Sequence, residues 1–119
     1  MSSGFRRDLK VLVFTSDVEI AAKVESHLHS LGYQATVIAL ENCAKFDQIV
    51  EDLLRREAFD GVAIGGRINQ RHPQAQLDDE TFHWFNRLVN IIHECASKSK
   101  IILNKDLADL EPAIKRVFV

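Results

Sequence analysis

Short apolar segments alternate along this chain with longer segments whose apolar residues recur every three or four positions. The short segments are rich in β-branched residues, which is typical of buried strands, whereas the longer ones are typical of amphipathic helices. The predicted strands are Leu9–Phe14, Tyr33–Leu40, Val62–Ile64 and Ile101–Leu103. Because a helical pattern follows each strand, we predict a parallel sheet with helices on both faces and right-handed crossovers.

The chain length of 119 residues is typical of one domain. We expect residues 1–8 to form a flexible lead-in and residues 9–119 to form a single α/β domain. The predicted sheet is parallel and four-stranded with the order 2-1-3-4, in a three-layer arrangement of the flavodoxin-like type. The segment from about Arg67 to Asp79 is predicted to be a loop, which is long for a strand-to-helix connection.

Composition limits the classes of function. A formal net charge of −2 gives no electrostatic basis for binding nucleic acid or an anionic membrane. No apolar run approaches the roughly 20 residues of a membrane span, and the N-terminus lacks the apolar core of a secretory signal. The histidines have no zinc-type spacing to cysteines or carboxylates. We therefore expect a cytoplasmic protein with no cofactor, no metal site, no nucleic-acid partner and no membrane partner.

The predicted strand order creates a crevice at one edge of the sheet. The switch point lies between the first and third strands, and ligands of open α/β sheets bind there, beyond the carboxyl ends of the strands. Glycines allow a ligand to approach the backbone closely, and free N–H groups at the first helix can hold an anion. The residues expected to bind a ligand at this edge are Ser16, Asp17, Gly65, Gly66, Arg67, Asn104 and Lys105. The alternative is that the two glycines only turn the chain while Arg67 is solvated.

The predicted third helix, which begins near Asp78, carries a polar stripe. Asn86, Asn90 and His93 have the spacing i, i+4 and i+7 and therefore share a face. Asparagine is a mediocre helix former, so the stripe indicates specific hydrogen bonds, and we count Asn90 among the ligand-binding candidates. His93 is the single weak candidate for catalysis, as a general acid–base. The alternative is local hydrogen bonding to the loop after the third strand.

The apolar residues of the third helix cover more than one side. The expected core stripe is Phe82, Phe85, Val89, Ile92 and Ala96, widened by Leu88 and Ile91. The apolar surface is extended beyond this stripe by Trp84, Ile91 and Cys95. A helix this apolar is either deeply buried or carries an interface. We therefore expect a protein partner or a homo-oligomer.

In its pattern of strands and helices, most of the chain resembles the receiver domains of response regulators. A receiver carries an acidic pair after its first strand, a phosphoacceptor Asp at the end of its third and a Lys at the end of its fifth. Here Asp17 is the one acid after the first strand, and Gly65-Gly66 stands where the phosphoacceptor belongs. Lys105 closes the fourth predicted strand. The resemblance therefore implies a receiver-like fold that does not transfer phosphoryl groups.

The latter half of the chain resembles a second group, of small uncharacterised, mostly bacterial α/β proteins. The resemblance lies in a glycine-rich strand end, a Phe-rich helix containing Asn-x-x-His and a strand that ends in Asn. It departs in its longer loop and in the lysine that follows the last Asn. The resemblance implies no particular reaction, but it groups together Gly65, Gly66, Asn90, His93 and Asn104.

These observations lead to two functional hypotheses. The first is a non-catalytic, receiver-like interaction or regulatory module that self-associates, because the chain lacks a catalytic constellation and its third helix is unusually apolar. The alternative is a protein that binds a small molecule or anion, or an enzyme, with its site at the carboxyl ends of strands 1, 3 and 4. The second hypothesis implies a small anionic ligand near Arg67, Asn104 and Lys105.

Overall fold

The computed structural model describes residues 8–119. Its strands are β1 Lys10–Thr15, β2 Gln34–Ala39, β3 Gly61–Ile64 and β4 Lys100–Leu103. Its helices are α1 Val18–Ser30, α2 Ala44–Arg56, α3 Gly66–Asn69, α4 Asp79–Cys95 and α5 Leu110–Phe118, the last preceded by the 3₁₀ turn Leu107–Asp109. The sheet is parallel with the order β2-β1-β3-β4, so the predicted fold class and strand order are confirmed. The predicted lead-in, apart from Asp8, lies outside the described residues.

The sheet separates two hydrophobic cores, because successive side chains of a strand point to opposite faces. Leu12 and Val62 belong to the core that α2 and α4 cover. Val11 and Ala63 belong to the core that α1 and α5 cover. The central strands are buried on both sides, which explains their near-continuous apolar sequence. The molecule is therefore a three-layer α/β/α sandwich.

The strand register brings three chain segments to one edge of the sheet. Phe14 in β1 is paired with Ile64 in β3, and Ile64 is paired with Leu103 in β4. These strands run in the same direction and end at nearly the same level. The segments 15–17, 65–67 and 104–106 therefore lie together beyond the carboxyl ends of the strands.

Because asparagine is a favoured N-cap residue, Asn42 would be expected to cap α2, but it does not. The N-cap is Cys43, which makes no side-chain capping bond. The Asn42 side chain instead donates to the Glu80 carbonyl and accepts from Arg87 Nη2 at 2.6 Å. Arg87 also pairs with Asp47. A contact between α2 and α4, invisible to the local sequence pattern, therefore takes the side chain that was expected to cap the helix.

The helix α4 buries a different stripe from the expected one. Its fully buried residues are Trp84, Leu88 and Ile92, at i, i+4 and i+8. Phe82, expected in the core, is 55% exposed, and Trp84, expected to extend the surface, is 7% exposed. Apolar residues surround much of this helix, so spacing alone did not determine which side faces the sheet. The larger indole is buried, although its Nε1 has no hydrogen-bond partner among residues 8–119.

The predicted loop between β3 and α4 begins with the short helix α3. Gln70, with φ of 69°, ends this helix in the left-handed region. Asp78 is the N-cap of α4 and accepts from the Thr81 N–H at 2.8 Å, and this bond lowers the pKa of the Asp78 carboxyl. None of the helices within residues 8–119 is long and apolar enough to cross a membrane.

Candidate ligand-binding crevice

A cavity of about 320 Å³ lies at the carboxyl edge of the sheet. Its boundaries are the ends of β1 and β3, the first turn of α1, the glycine pair and the segment between β4 and α5. The predicted site residues that line it are Ser16, Asp17, Gly65, Gly66, Arg67 and Asn104. Those that do not line it are Lys105, Asn90 and His93. We call this cavity the crevice.

The start of α1 forms one side of the crevice and carries a negative charge. Asp17 is its N-cap, and Oδ1 accepts from the N–H groups of Glu19 at 2.9 Å and Ile20 at 3.4 Å. A carboxylate therefore occupies two of the amides that the sequence suggested for an anion. The Asp17 N–H in turn donates to Thr15 Oγ1 at 3.3 Å. This arrangement disfavours a second anion at the same helix end.

The two glycines pack tightly against the neighbouring backbone. A Cβ atom built on Gly66 would lie 1.8 Å from the Lys105 carbonyl oxygen, and one on Gly65 would lie 3.0 Å from that of Phe14. Neither glycine has a positive φ. Close backbone approach, rather than an unusual turn conformation, therefore explains why position 66 is glycine. We call the contact of α3 with the segment after β4 the joint.

Asn69 completes the joint, and sequence reasoning missed it. The side chain is 6% exposed, and Nδ2 donates to the carbonyls of Ile64 at 2.8 Å and Asn104 at 3.0 Å. Oδ1 accepts from the Arg71 N–H at 2.9 Å. Asn69 lies four residues after Gly65 in a segment predicted to be a loop, so its only sequence signal is a polar residue near a buried strand end.

Asn104 is equally buried but not fully hydrogen-bonded. It is 6% exposed and lines the crevice. Nδ2 donates to the Asp106 carbonyl at 3.0 Å, whereas Oδ1 has no hydrogen-bond partner among residues 8–119. A buried acceptor without a partner costs about 1–3 kcal/mol. Oδ1 is itself fully buried, so it lies behind the surface of the crevice and is not open to a molecule in the cavity.

The positive charges expected at the crevice are not aimed at it. Arg67 lines the rim, but its guanidinium donates to Gln74 Oε1 at 3.2 Å. Lys105 is exposed, and its backbone N–H donates to Asp109 Oδ2 at 2.9 Å. Asp106, whose Oδ1 accepts from the Asp109 N–H, adds a second carboxylate to the lining. The local charge therefore does not favour an anion.

Asp109 anchors the 3₁₀ turn that closes one side of the crevice. Its two carboxylate oxygens accept from Arg116, Nη1 to Oδ1 and Nη2 to Oδ2, both at 3.0 Å. These charge-assisted bonds lower the pKa of the Asp109 carboxyl below its usual value and raise the pKa of Arg116. This ion pair with α5 fixes the turn that carries Leu107 and Ala108, both of which line the crevice.

His72 is a second residue that sequence reasoning passed over, since a lone loop histidine is usually solvated. Here the ring is half-buried and lines the crevice. Nδ1 accepts the Gln74 N–H at 3.0 Å, so Nε2 carries the proton of the neutral ring. The backbone N–H donates to the Gly66 carbonyl at 3.1 Å. His72 therefore offers a donor at Nε2, held in place by the tight turn after α3.

Asn90 and His93 are separated from the other predicted site residues. Both are exposed on α4 and outside the crevice lining. Asn90 Nδ2 donates to the Asn86 carbonyl at 2.9 Å, within its own helix. The helix packs by its Trp84 side on the core between the sheet and α2. The stripe is therefore neither part of the crevice nor bonded to the loop after β3.

Comparison with known proteins adds no assignment. Neither a scan against models of protein families nor a search of curated proteins found a match. The resemblance to receiver domains and that to small bacterial α/β proteins therefore remain predictions. Within residues 8–119, no three His, Cys, Asp or Glu side chains lie close enough to hold a metal ion together.

Proposed function

We propose that this protein binds a small organic molecule in the crevice, without catalysing a reaction on it. The observation that carries the proposal is the crevice itself, a cavity of about 320 Å³ at the carboxyl ends of β1 and β3. Ligands of open α/β sheets bind at this place, beside the switch point in the strand order.

The size and lining of the crevice support the same function. Its volume of about 320 Å³ lies at the lower end of the range of about 300–1,000 Å³ for small-molecule sites. Such sites combine mostly apolar walls with a few polar groups that orient the ligand. Here the apolar walls include Ile20, Ile68 and Leu110. Ser16 and His72 supply polar side chains to the lining.

Binding without turnover is supported by the chemistry of the lining side chains. Ser16, the serine of the crevice, has no hydrogen-bonded base among residues 8–119, so its hydroxyl lacks the activation that nucleophilic catalysis needs. His93, the candidate acid–base, lies on α4 outside the crevice. His72 has no carboxylate hydrogen-bonded to its ring among the residues described. The arrangement therefore provides recognition rather than an activated nucleophile.

The experiment is a thermal-shift screen of metabolites, nucleosides and simple anions with two matched variants. Ser16→Trp fills the mouth of the crevice from an exposed lining position, and Ser26→Trp places the same side chain at an exposed position of α1 outside it. A ligand at a hundred times its Kd stabilises the protein by about 2.7 kcal/mol. We expect the stabilisation to disappear in Ser16→Trp and to persist in Ser26→Trp. Stabilisation that survives in Ser16→Trp would place the site elsewhere.

Self-association is the second candidate function, and its surface differs from the one the sequence suggested. Trp84 is in the core, and Ile91 and Cys95 pack against it. Exposed apolar side chains are instead found around the start of α4, where Leu77, just before the helix, is 81% exposed and Phe82, in its first turn, is 55% exposed. Exposed apolar side chains on this side of the molecule are what a protein contact would cover.

Sedimentation velocity from about 1 to 100 μM tests this candidate at concentrations typical of weak protein contacts. We expect a dimer that Phe82→Ser dissociates and that His83→Ser, a change at the exposed neighbouring position, leaves intact. A monomer at every concentration would end the self-association hypothesis without affecting the crevice.

A further inference from the structure

We infer that two copies of this chain form a symmetric dimer in which their β4 strands pair antiparallel and join the two sheets into one. The inference rests on the second candidate function, self-association, and identifies the surface and the partner. It is independent of the crevice. Three features carry it: the unpaired edge of β4, the apolar side of α4 next to that edge, and the charges at the two ends of α4.

The two edges of the sheet differ in how their outward-facing backbone groups are covered. The edge strands are β2 and β4. At the β2 edge, His29 Nε2 donates to the Ala35 carbonyl at 2.9 Å, and the Val37 N–H donates to Glu25 Oε1 at 3.2 Å. Both covering side chains come from α1. Native proteins protect edge strands in such ways from pairing with another chain, so the β2 edge is protected.

The β4 edge has almost no such cover among residues 8–119. The Lys100 N–H donates to the Asp60 carbonyl on the β3 side at 3.0 Å. Because backbone groups of successive residues in a strand point to opposite edges, those of Ile101 and Leu103 face outward. The one partner that these four groups have is Arg116, whose Nη2 reaches the Leu103 carbonyl at 3.5 Å, a long distance for a hydrogen bond. A row of unpaired groups is a template for another strand.

The exposed edge of β4 is complementary to itself. Antiparallel pairing centred on Ile102 places Ile101 opposite Leu103 of the partner subunit. These two residues then exchange both of their N–H···O bonds, because their backbone groups face outward. Their side chains lie on one face and form an apolar cross-strand pair. Lys100 lies opposite Asn104 of the partner subunit in this register, so no like charges are opposed.

An apolar side of α4 lies next to this edge. Arg87 pairs with Asp47 of α2 at 2.9 Å, so its side of α4 faces α2. Phe82, Phe85 and Val89 lie on the other side of the buried stripe, and they are exposed or half-buried. The connection from β3 through α4 to β4 places this side towards the free edge. A partner strand at the usual spacing of about 4.8 Å would bring the apolar sides of both α4 helices together.

The charges at the ends of α4 favour a second copy over an unrelated strand. The helix begins with Asp79 and Glu80, and Lys98 and Lys100 follow its end. Antiparallel β4 strands make the two α4 helices antiparallel as well, so the acidic start of each lies towards the basic end of the other. The helix dipoles are opposed in the same way. Such electrostatic complementarity selects a partner and its orientation.

Amide hydrogen exchange measured by NMR tests the pairing at concentrations below and above the dimer Kd, which sedimentation velocity supplies. We expect the N–H groups of Ile101 and Leu103 to exchange about tenfold or more slowly in the dimer than in the monomer. The Ala39 N–H, which faces outward at the β2 edge, is the control. Its exchange should not depend on concentration.

Two variants of one residue test the backbone contact. Leu103→Pro removes an outward N–H that has no partner among residues 8–119, and edge strands tolerate proline. We expect it to weaken the dimer by about tenfold or more, whereas Leu103→Val, which keeps the N–H, should change Kd by about threefold or less. Thermal unfolding verifies that each variant folds.

A second pair of variants serves if Leu103→Pro does not fold. Leu103→Lys places a charge at a position that is 44% exposed and lies in the proposed contact. Ile49→Lys makes the same kind of change on α2, where the side chain is 38% exposed. We expect Leu103→Lys to dissociate the dimer and Ile49→Lys to leave it intact.

The outcomes separate this inference from self-association itself. A monomer at every concentration overturns both. A dimer that Phe82→Ser dissociates, but in which the Ile101 and Leu103 amides exchange as in the monomer, leaves self-association standing and overturns strand pairing. Protection of these amides that appears only after a strand-forming peptide is added would assign the edge to another chain and overturn the dimer.

Discussion

Two asparagines at the carboxyl edge of the sheet are equally buried, at 6% exposure, and differ in their hydrogen bonds. Asn69 makes three, two from Nδ2 and one to Oδ1. Asn104 makes one from Nδ2, and its Oδ1 has no partner among residues 8–119. The two residues are themselves connected, because Asn69 donates to the Asn104 carbonyl.

This difference distinguishes the joint, where both ends of the Asn69 amide are hydrogen-bonded, from the wall of the crevice, where Asn104 Oδ1 has no partner among residues 8–119. In the joint, Gly66 lets α3 approach the Lys105 carbonyl closely, and Asn69 bonds both backbone segments. Beside the crevice, Asn104 Oδ1 is buried without a partner among residues 8–119. We therefore expect substitutions in the joint to cost more stability than substitutions at Asn104.

Gly66→Ala should have the largest effect, because it forces the joint apart. The new Cβ would lie 1.8 Å from the Lys105 carbonyl oxygen, which is backbone and cannot rotate away. We expect a loss of roughly 3 kcal/mol or more in the free energy of unfolding, measured by urea denaturation. Gly65→Ala, whose Cβ would lie 3.0 Å from the Phe14 carbonyl oxygen, should cost about 1 kcal/mol. Equal losses would show that the close contact at position 66 is not decisive.

Asn69→Leu should destabilise the joint without changing its shape. The substitution leaves the buried carbonyls of Ile64 and Asn104 without their side-chain donor. We expect a loss of about 2–3 kcal/mol in urea denaturation. Asn86→Leu, at an exposed position, serves as the control and should change stability by about 0.5 kcal/mol or less. A neutral Asn69→Leu would contradict the view that hydrogen bonds hold the joint.

Asp109→Asn should reduce the acid dependence of the free energy of unfolding, an effect that concerns the turn beside the crevice and not the joint. The pKa of Asp109 is lowered in the folded protein by Arg116. Its stabilising contribution is therefore complete above the usual value of 3.8 and is lost as pH falls through the lowered pKa. We expect wild type to lose about 0.5 kcal/mol more than Asp109→Asn over this range, a small value because the pair is partly solvated. Identical pH profiles in acid urea titrations would contradict a role for this ion pair.

Asn104→Leu should change the stability of the ligand-free protein little, because two opposite effects offset each other. The change removes the Nδ2 bond to the Asp106 carbonyl, worth about 1 kcal/mol, but also removes the buried, unpaired Oδ1. We expect a net change within about 1 kcal/mol of zero in the same denaturation experiment. A loss equal to that of Asn69→Leu would show that Asn104 supports the fold as strongly as Asn69 does.

The local pattern predicted the strands, their order and the edge where a cavity would lie. It also identified six of the crevice-lining residues, because loops after neighbouring parallel strands must meet at one edge. Asn90 and His93, which the helical spacing places on one face, lie outside the crevice because α4 packs on the other core. Sequence reasoning missed Asn69 and His72, which have no distinctive local pattern.

By itself, the sequence determined the fold class, because the periods of strands and helices and their alternation are local properties that restrict the topology to very few arrangements. Tertiary packing determines which side of α4 is buried, which of the two asparagines has its hydrogen bonds complete and which charged groups lie at the crevice. These depend on contacts between residues far apart in the chain, such as Asn69 and Asn104 across the joint. A local pattern contains no information on such pairs, since each partner is polar and unremarkable in its own segment.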